Sequence, residues 1–320
     1  MKRLAKYGVL LSLVFISGFL LYGCNDTAKA SATEVKSSPD LTKPTAPPKA
    51  NAISKEFKSY WYAGEAEVSS FELELLRYGE LRKGHAVQVF VTEPFLAEEQ
   101  VKANYSRADN IPVLKLNNVK KFLTGIYPYS IMTSTFSPVR QPDHALKVTN
   151  SVQEWCGQVY TQINNRDVFE VVSHSYFEGE ADQSLSLEKA VLEDELWNLI
   201  RLRPETLPTG NFKAIPSLEY LRLNHKKITT YSVTAKRTFE DGRVNYMLNY
   251  PELGRSLQIS YALEFPHQIE GWTESLGSRS GGNARTITST ARRIKTIKTP
   301  YWQKNSNRDV ILRDSLGLPQ

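Results

Sequence analysis

Two cysteines, five histidines and one run of three carboxylates are the side chains of this 320-residue sequence from which chemistry can most readily be built. The histidines (His85, His144, His174, His225 and His267) have no ligand-like spacing, and Cys24 and Cys156 cannot furnish a four-cysteine zinc module. No metal and no cofactor is therefore expected. Glu193-Asp194-Glu195 is the densest acidic run. Three consecutive carboxylates fan around a helix rather than converge on one ion, so they read as a solvated helix face. Gly277-Ser278-Arg279-Ser280-Gly281 has the glycine spacing of a hydrolase elbow but puts Arg279 at the nucleophile's place. No P-loop, dinucleotide fingerprint or His-Glu-x-x-His is present. Ser280-Gly281-Gly282-Asn283 can cradle an anion on backbone N–H groups, but reads more simply as a turn. Cys156, between Trp155 and Val159, reads as an inert thiol buried in a strand. A hydrolase site assembled from distant carboxylates or His174 stays open as an alternative. The best binding candidates are Tyr127 and Tyr129 in Gly125-Ile126-Tyr127-Pro128-Tyr129. Their apolar rings and hydroxyl tips suit a lipid or glycan contact; the plainer alternative is a turn whose tyrosines pack on a sheet.

The amino end reads as an address. Lys2, Arg3 and Lys6 precede an uncharged run from Tyr7 to Gly23. As a helix that run spans about 25 Å, short of the ~30 Å hydrocarbon core, so a signal peptide over residues 1–23 is expected rather than a spanning helix. Leu21-Tyr22-Gly23-Cys24 resembles a bacterial lipobox. That resemblance implies a diacylglyceryl group on Cys24 and, because one chain anchors only marginally, a further acyl chain on the new amine. The alternative is a short membrane anchor with an incidental cysteine. Residues 25–56 are rich in Ala, Ser, Thr, Lys and Pro and lack aromatics until Phe57, so residues 24–56 read as the lipidated cysteine and a tether that cannot order itself. The tether reaches about 105 Å at most and about 30 Å as a coil. No dense acidic cluster follows Cys24, which favours an outer-membrane protein facing the periplasm.

The formal charge of +6 is concentrated: residues 277–320 hold nine Lys or Arg against two Asp. Such a tail can meet anionic lipid or glycan phosphates. The simpler expectation is that Arg285–Lys298 is a charged edge strand, because Lys and Arg fall on both parities and Ile287, Ile294 and Ile297 do not share a face. Nucleic acid is not an expected partner of an exported protein.

From Trp61 onward, β-branched and aromatic residues recur in short runs punctuated by Gly and Pro. Phe71–Leu75 alternates cleanly, Ala86–Val91 is a second strand ended by Pro94, and further strands follow through Phe265, among them Leu146–Gln153, Glu154–Ile163 and Val168–Phe177. Asp241-Gly242, between two alternating runs, is the most specific turn signal. Leu187–Leu202 has helical spacing, with Ser186 as candidate cap and Pro204 as terminator, and Phe95–Tyr105 is a second helix candidate. The expected fold is mainly β: an antiparallel curled sheet, half-barrel or two-layer, with one or two packed helices over residues 57–320. A subdivision near 205 is one option and one continuous sheet the other.

Several segments together are similar to a family of predicted lipoproteins from Bacteroidetes-type bacteria: Arg77-Tyr78-Gly79-Glu80-Leu81-Arg82, Val91-Thr92-Glu93-Pro94-Phe95, Thr124–Ser130, Val152–Gly157, Leu192–Trp197 and Gly271-Trp272. That family brings no established activity. Its members are often labelled septum formation inhibitor Maf. True Maf proteins resemble nucleotide pyrophosphatases, are cytoplasmic, and carry Ser-x-Ser-Pro-Arg-Arg near their start. Here only Phe136-Ser137-Pro138-Val139-Arg140 is comparable, mid-chain and without the second arginine, so a nucleotide pyrophosphatase is disfavoured. The strand-rich pattern and Glu264-Phe265-Pro266 also resemble, at the level of fold, the LolA/LolB-like half-barrel envelope proteins. The resulting expectation is a non-enzymatic envelope lipoprotein, held at the membrane by its lipid, that binds an apolar or amphiphilic ligand (a lipid or glycan) or an envelope protein.

Overall fold

Alternation of β-branched and aromatic residues with polar ones commits most of the chain to strands. The structure, a computed structural model, describes residues 53–319 except Ser106, Gln141, Pro142, Gly281 and Gly282. The expected signal segment, Cys24, most of the expected tether and the Gly281-Gly282 turn lie outside the described residues.

The strands are β1 (Ala66–Arg77), β2 (Glu80–Leu96), β3 (Val101–Lys102), β4 (Ile111–Thr124), β5 (Tyr127–Pro138), β6 (Lys147–Glu154), β7 (Gly157–Asn165) and β8 (Phe169–Ser175). They continue as β9 (Gln183–Leu187), β10 (Val191–Leu192), β11 (Gly210–Ile215), β12 (Tyr231–Glu240), β13 (Arg243–Tyr250), β14 (Arg255–Ala262), β15 (Ile269–Ser280) and β16 (Asn283–Thr299). Four short α-helices accompany them: α1 (Lys55–Trp61), α2 (Glu193–Leu202), α3 (Leu218–Leu223) and α4 (Ile311–Ser315). Ser54 caps α1, its hydroxyl accepting from the Phe57 N–H.

All the strands belong to one sheet. Its order runs from β10 through β11 to β16, then β1, β2 and β4 through β9, with β3 paired to β2 off that path. Neighbours are antiparallel except β10 and β11. The two outer strands, β9 and β10, are consecutive in the chain, and only residues 188–190 join them. Four Cα steps span at most about 15 Å, so the sheet must curl until its edges nearly meet, without closing. Residues near 205 do not interrupt it: Pro204–Thr206 is a 3-10 turn leading from α2 into β11.

α2 lies within the curl. Eight of its ten residues are buried, and its side chains bond to strands from both arms of the sheet: Arg201 to Glu67 on β1, Asn198 to the carbonyls of Leu114 and Thr135, and Glu193 to Arg255 on β14. Around it packs the main core, including Phe71, Phe90, Leu114 and Ile131 from one arm and Tyr246, Ile259 and Trp272 from the other. A second cluster, with Phe169 and Val171 on β8 and Ile215, Leu218 and Leu221 about α3, fills the seam between the two edges. The Tyr78-Gly79 and Asp241-Gly242 turns have positive φ at both central residues, the primed geometry that suits twisted hairpins.

Five local expectations are corrected. Phe95–Tyr105 is not a helix; Phe95 and Leu96 end β2, which runs through Pro94, and Val101-Lys102 fold back on it. The predicted helix is confined to Glu193–Leu202: Leu187 belongs to β9, and Leu192, not Ser186, is the N-cap. The acidic triplet is not solvated, since burial inside the curl takes every face of α2 out of water. Arg285–Lys298 is not an edge, because β16 pairs with β15 on one side and β1 on the other. Cys156 is not buried in a strand; it is exposed in the β6–β7 turn.

Candidate functional site

A helix buried on all sides must find a separate partner for each polar group, and α2 does so for its charged side chains, differently at its two ends, while the Asn198 side-chain oxygen between them has none. At its N-terminus the three consecutive carboxylates diverge. Glu193 forms a bidentate pair with Arg255, at 2.5 and 2.7 Å. Asp194 accepts from the Leu218 N–H at 3.0 Å. Glu195 accepts from the Ala145 and Leu192 N–H groups and meets His144 Nδ1 at 2.8 Å. All three sit where the helix dipole favours negative charge.

Beside Glu193 and Asp194 is a cavity of about 310 Å³. Its floor is Trp197 of α2 against Trp272 of β15, edge to face with centroids 5.3 Å apart. Lys120 of β4 reaches in, 2.8 Å from Glu219 of α3 and 5.6 Å from the Trp272 ring centroid. Arg255 also holds Glu274. Four carboxylates (Glu193, Asp194, Glu219 and Glu274) thus share the cavity wall with Lys120, Arg255 and Arg77. Burial, which opposes charge, would raise the Glu193 carboxyl, but the Arg255 charge and hydrogen bonds outweigh it and hold the group below the usual range. Asp194 has no such cation. Burial pushes it up to about 7, the charges of Glu193 and Glu219 add to the rise, and the Leu218 N–H and the more distant Lys120 charge offset part of it.

The cavity opens at the end of the sheet where the β1–β2, β4–β5 and β6–β7 turns lie, as alternate hairpins of an antiparallel meander must. Arg77 closes one side of the mouth. It donates to the Leu223 carbonyl and the Tyr129 hydroxyl, and its guanidinium lies 4.2 Å from the Tyr78 ring centroid. An aromatic row leads outward from there. The Tyr78 and Tyr129 hydroxyls are 2.8 Å apart, and the Tyr127 ring lies 6.0 Å from Tyr129 and 6.3 Å from Trp155. Tyr78, Ile126 and Trp155 are 57%, 84% and 69% exposed.

No protein-family model, no curated protein and no solved structure matches the chain. The residues of the site therefore speak for themselves.

Of the sequence candidates, Tyr129 is buried, stacked on Phe122 at 4.9 Å, and serves the packing. Tyr127 is half-buried in the rim, next to the exposed Ile126. The structure brings both into the row that begins at the cavity mouth. His174 is remote from the cavity, on the outer face of β8 and 3.2 Å from Asp182. Cys156 lies beyond Trp155; its thiol is pushed up by a hydrogen bond to Glu154 and by that carboxylate's charge, which disfavours the reactive thiolate. Among the described residues no group of three or more His, Cys, Asp or Glu side chains can hold a metal ion.

Sequence reasoning missed the cavity itself and the polar line behind it. Register places Gln88, Asn118, Thr133, Asn150, Thr161 and Ser173 side by side across β2 and β4–β8, all buried. The signal was present strand by strand, as one polar residue among inward-facing apolar ones: Leu116-x-Asn118, Val148-x-Asn150-x-Val152, Val159-x-Thr161-x-Ile163 and Val171-x-Ser173. It becomes a site only once the register aligns the positions.

Proposed function

We propose that this chain is a cell-envelope lipoprotein, anchored through Cys24 and facing the periplasm, that binds an amphiphile. The polar part enters the cavity at the N-terminal end of α2 and the apolar part lies along the rim of Tyr78, Ile126, Tyr127 and Trp155. The observation that carries this reading is the continuity of the two surfaces, since Tyr78 belongs both to the cavity wall and to the exposed row. A fully polar ligand leaves that row unused, and exposed aromatic patches mark contact surfaces. The Lys2–Lys6 cluster, the apolar run and Leu21-Tyr22-Gly23-Cys24 support the envelope address. Among the described residues no helix is long and apolar enough to cross a membrane. Kinship with the Bacteroidetes-type lipoproteins rests on the sequence segments above.

Native mass spectrometry of the gently extracted chain tests the proposal. The expected result is a non-covalently bound amphiphile that is lost or much reduced in Trp155→Ser and Tyr78→Ser. A protein that emerges empty contradicts it.

One observation favours a second reading, a hydrolase. Asp194, at about 7, is poised to carry a proton at neutral pH in a cavity that also holds Glu219 and Glu274. That reading requires turnover of the bound molecule, abolished in Asp194→Asn. Release of the ligand chemically intact from the native protein supports binding alone.

A further inference from the structure

Most charged groups around the cavity are held by others there, and the Arg77 guanidinium is taken up by the Leu223 carbonyl and the Tyr129 hydroxyl. Glu193 and Glu274 both hold Arg255, and Glu219 holds Lys120. A charged headgroup must break one of these pairs, which is strongly unfavourable, or draw Arg77 away from its carbonyl and hydroxyl acceptors. A phosphate would in addition face four carboxylates. Apart from Asp194, whose carboxyl accepts from the Leu218 N–H, what the cavity leaves unmatched is neutral. Asn118 lines it and is nine-tenths buried, and its side-chain oxygen has no hydrogen-bond partner. Beside it in register, Gln88 is fully buried with neither its oxygen nor its nitrogen partnered. A buried amide oxygen without a partner is unfavourable, so Asn118 calls for a donor from a ligand or water in the cavity, whereas Gln88 does not line that space. Thr133, directly across from Asn118, adds a hydroxyl, while Trp197 and Trp272 present apolar ring surfaces to the same space.

Resting on the amphiphile reading, we infer that the polar part of the ligand is an uncharged saccharide. Its hydroxyls match amide and carboxylate groups around its edge, and the C–H groups of its ring match indole. The cavity, at about 310 Å³, is at the lower limit of small-molecule pockets, roughly 300–1,000 Å³. The polar line continues under α3, which packs over β5 and β6. Beyond it, Thr161 and Ser173 line a second cavity of about 770 Å³ on the other side of that helix.

The test is tandem fragmentation of the species bound in native mass spectra of the full chain, together with Asn118→Leu and, should that variant fail to fold, Thr133→Val. The expected result is a bound species that loses neutral sugar masses on fragmentation, with occupancy lowered about tenfold in the variant. An amphiphile that fragments without sugar loss, releasing a phosphate or an amine instead, overturns this inference and leaves the amphiphile reading standing. A bound sugar with no apolar part supports the inference and removes the amphiphile reading. An empty protein overturns both.

Discussion

The two ends of α2 carry the same device in different surroundings. At the C-terminal end Arg201 holds Glu67 through two 2.6 Å hydrogen bonds, with the pair 1% and 0% exposed. Its guanidinium lies between Trp61 and Phe90, 5.0 and 4.7 Å from their ring centroids. Tyr60 donates its hydroxyl to the same carboxylate, and Arg201 also donates to the Pro266 carbonyl. This end is closely packed, and the polar group left over beside the pair is the buried Trp61 indole N–H. At the N-terminal end Arg255 holds Glu193 just as closely, yet beside it lie a cavity, a carboxyl without a paired cation and the unpartnered side-chain oxygen of Asn118. Identical ion pairs are therefore poor guides to function. The informative feature is the cavity beside one of them and the polar group that faces it unmatched.

The comparison is broken most violently by Arg201→Met, which strands Glu67 in the core. Unfolding in urea is expected to show a loss of about 3–5 kcal/mol. Adding Glu67→Leu should restore much of it, since a well-packed apolar pair replaces a buried ion pair at little net cost. A loss below about 1 kcal/mol in the single variant would mean that this end is not sealed.

The ends should also differ in the sign of their pH dependence. Burial would raise Glu67, but Arg201 and the hydrogen bonds from Arg201 and Tyr60 hold it below its ordinary value of 4.5. Its contribution is complete above about 4.5 and is lost as pH falls through the lowered value. Asp194 acts in reverse. Its folded-state value of about 7 lies above its ordinary 3.8, so the native state holds the extra proton and stability falls as pH rises between them, levelling off above about 7. The slope from this group is at most about 1.4 kcal/mol per pH unit. Asp194→Asn keeps an acceptor for the Leu218 N–H. Urea titrations from pH 4 to 8 should show the variant flatter than the parent and more stable at pH 8; parallel curves would contradict the burial of an uncompensated carboxyl. The smallest effect on stability is expected at the rim: Trp155→Ser should stay within about 0.5 kcal/mol of the parent while ligand retention drops.

Much of this architecture was legible. Asp241-Gly242 announced its hairpin, and alternation in Phe71–Leu75 announced a half-buried strand. The position of β16 was not legible, for a local reason. Ser70 faces Lys295 but Phe71 faces Arg293, so the chain bulges at Ile294 and side-chain parity reverses there. Even with that bulge, Lys298 and Arg293 share the inner face with Glu67 and Phe71 while Lys295 and Arg292 lie on the other face, so basic residues on both faces do not by themselves mark an edge: the inner ones find acceptors in Tyr60 and Glu270. The acidic triplet misled because its spacing says only that the carboxylates diverge. That each direction leads to a protein donor depends on strands far away in the chain, Arg255 among them. Tyr127 stood out by composition as a candidate, whereas Asn118 and Gln88 look like ordinary strand residues until the register sets them side by side.

Hydrogen exchange before and after removal of the co-purified ligand tests the central claim most directly. Stripping the ligand should speed exchange at residues 75–79, 193–197 and 217–224, and leave residues 61–67 and 198–202 unchanged. Equal changes at both ends of α2, or none at the N-terminal end, would contradict the assignment of the site.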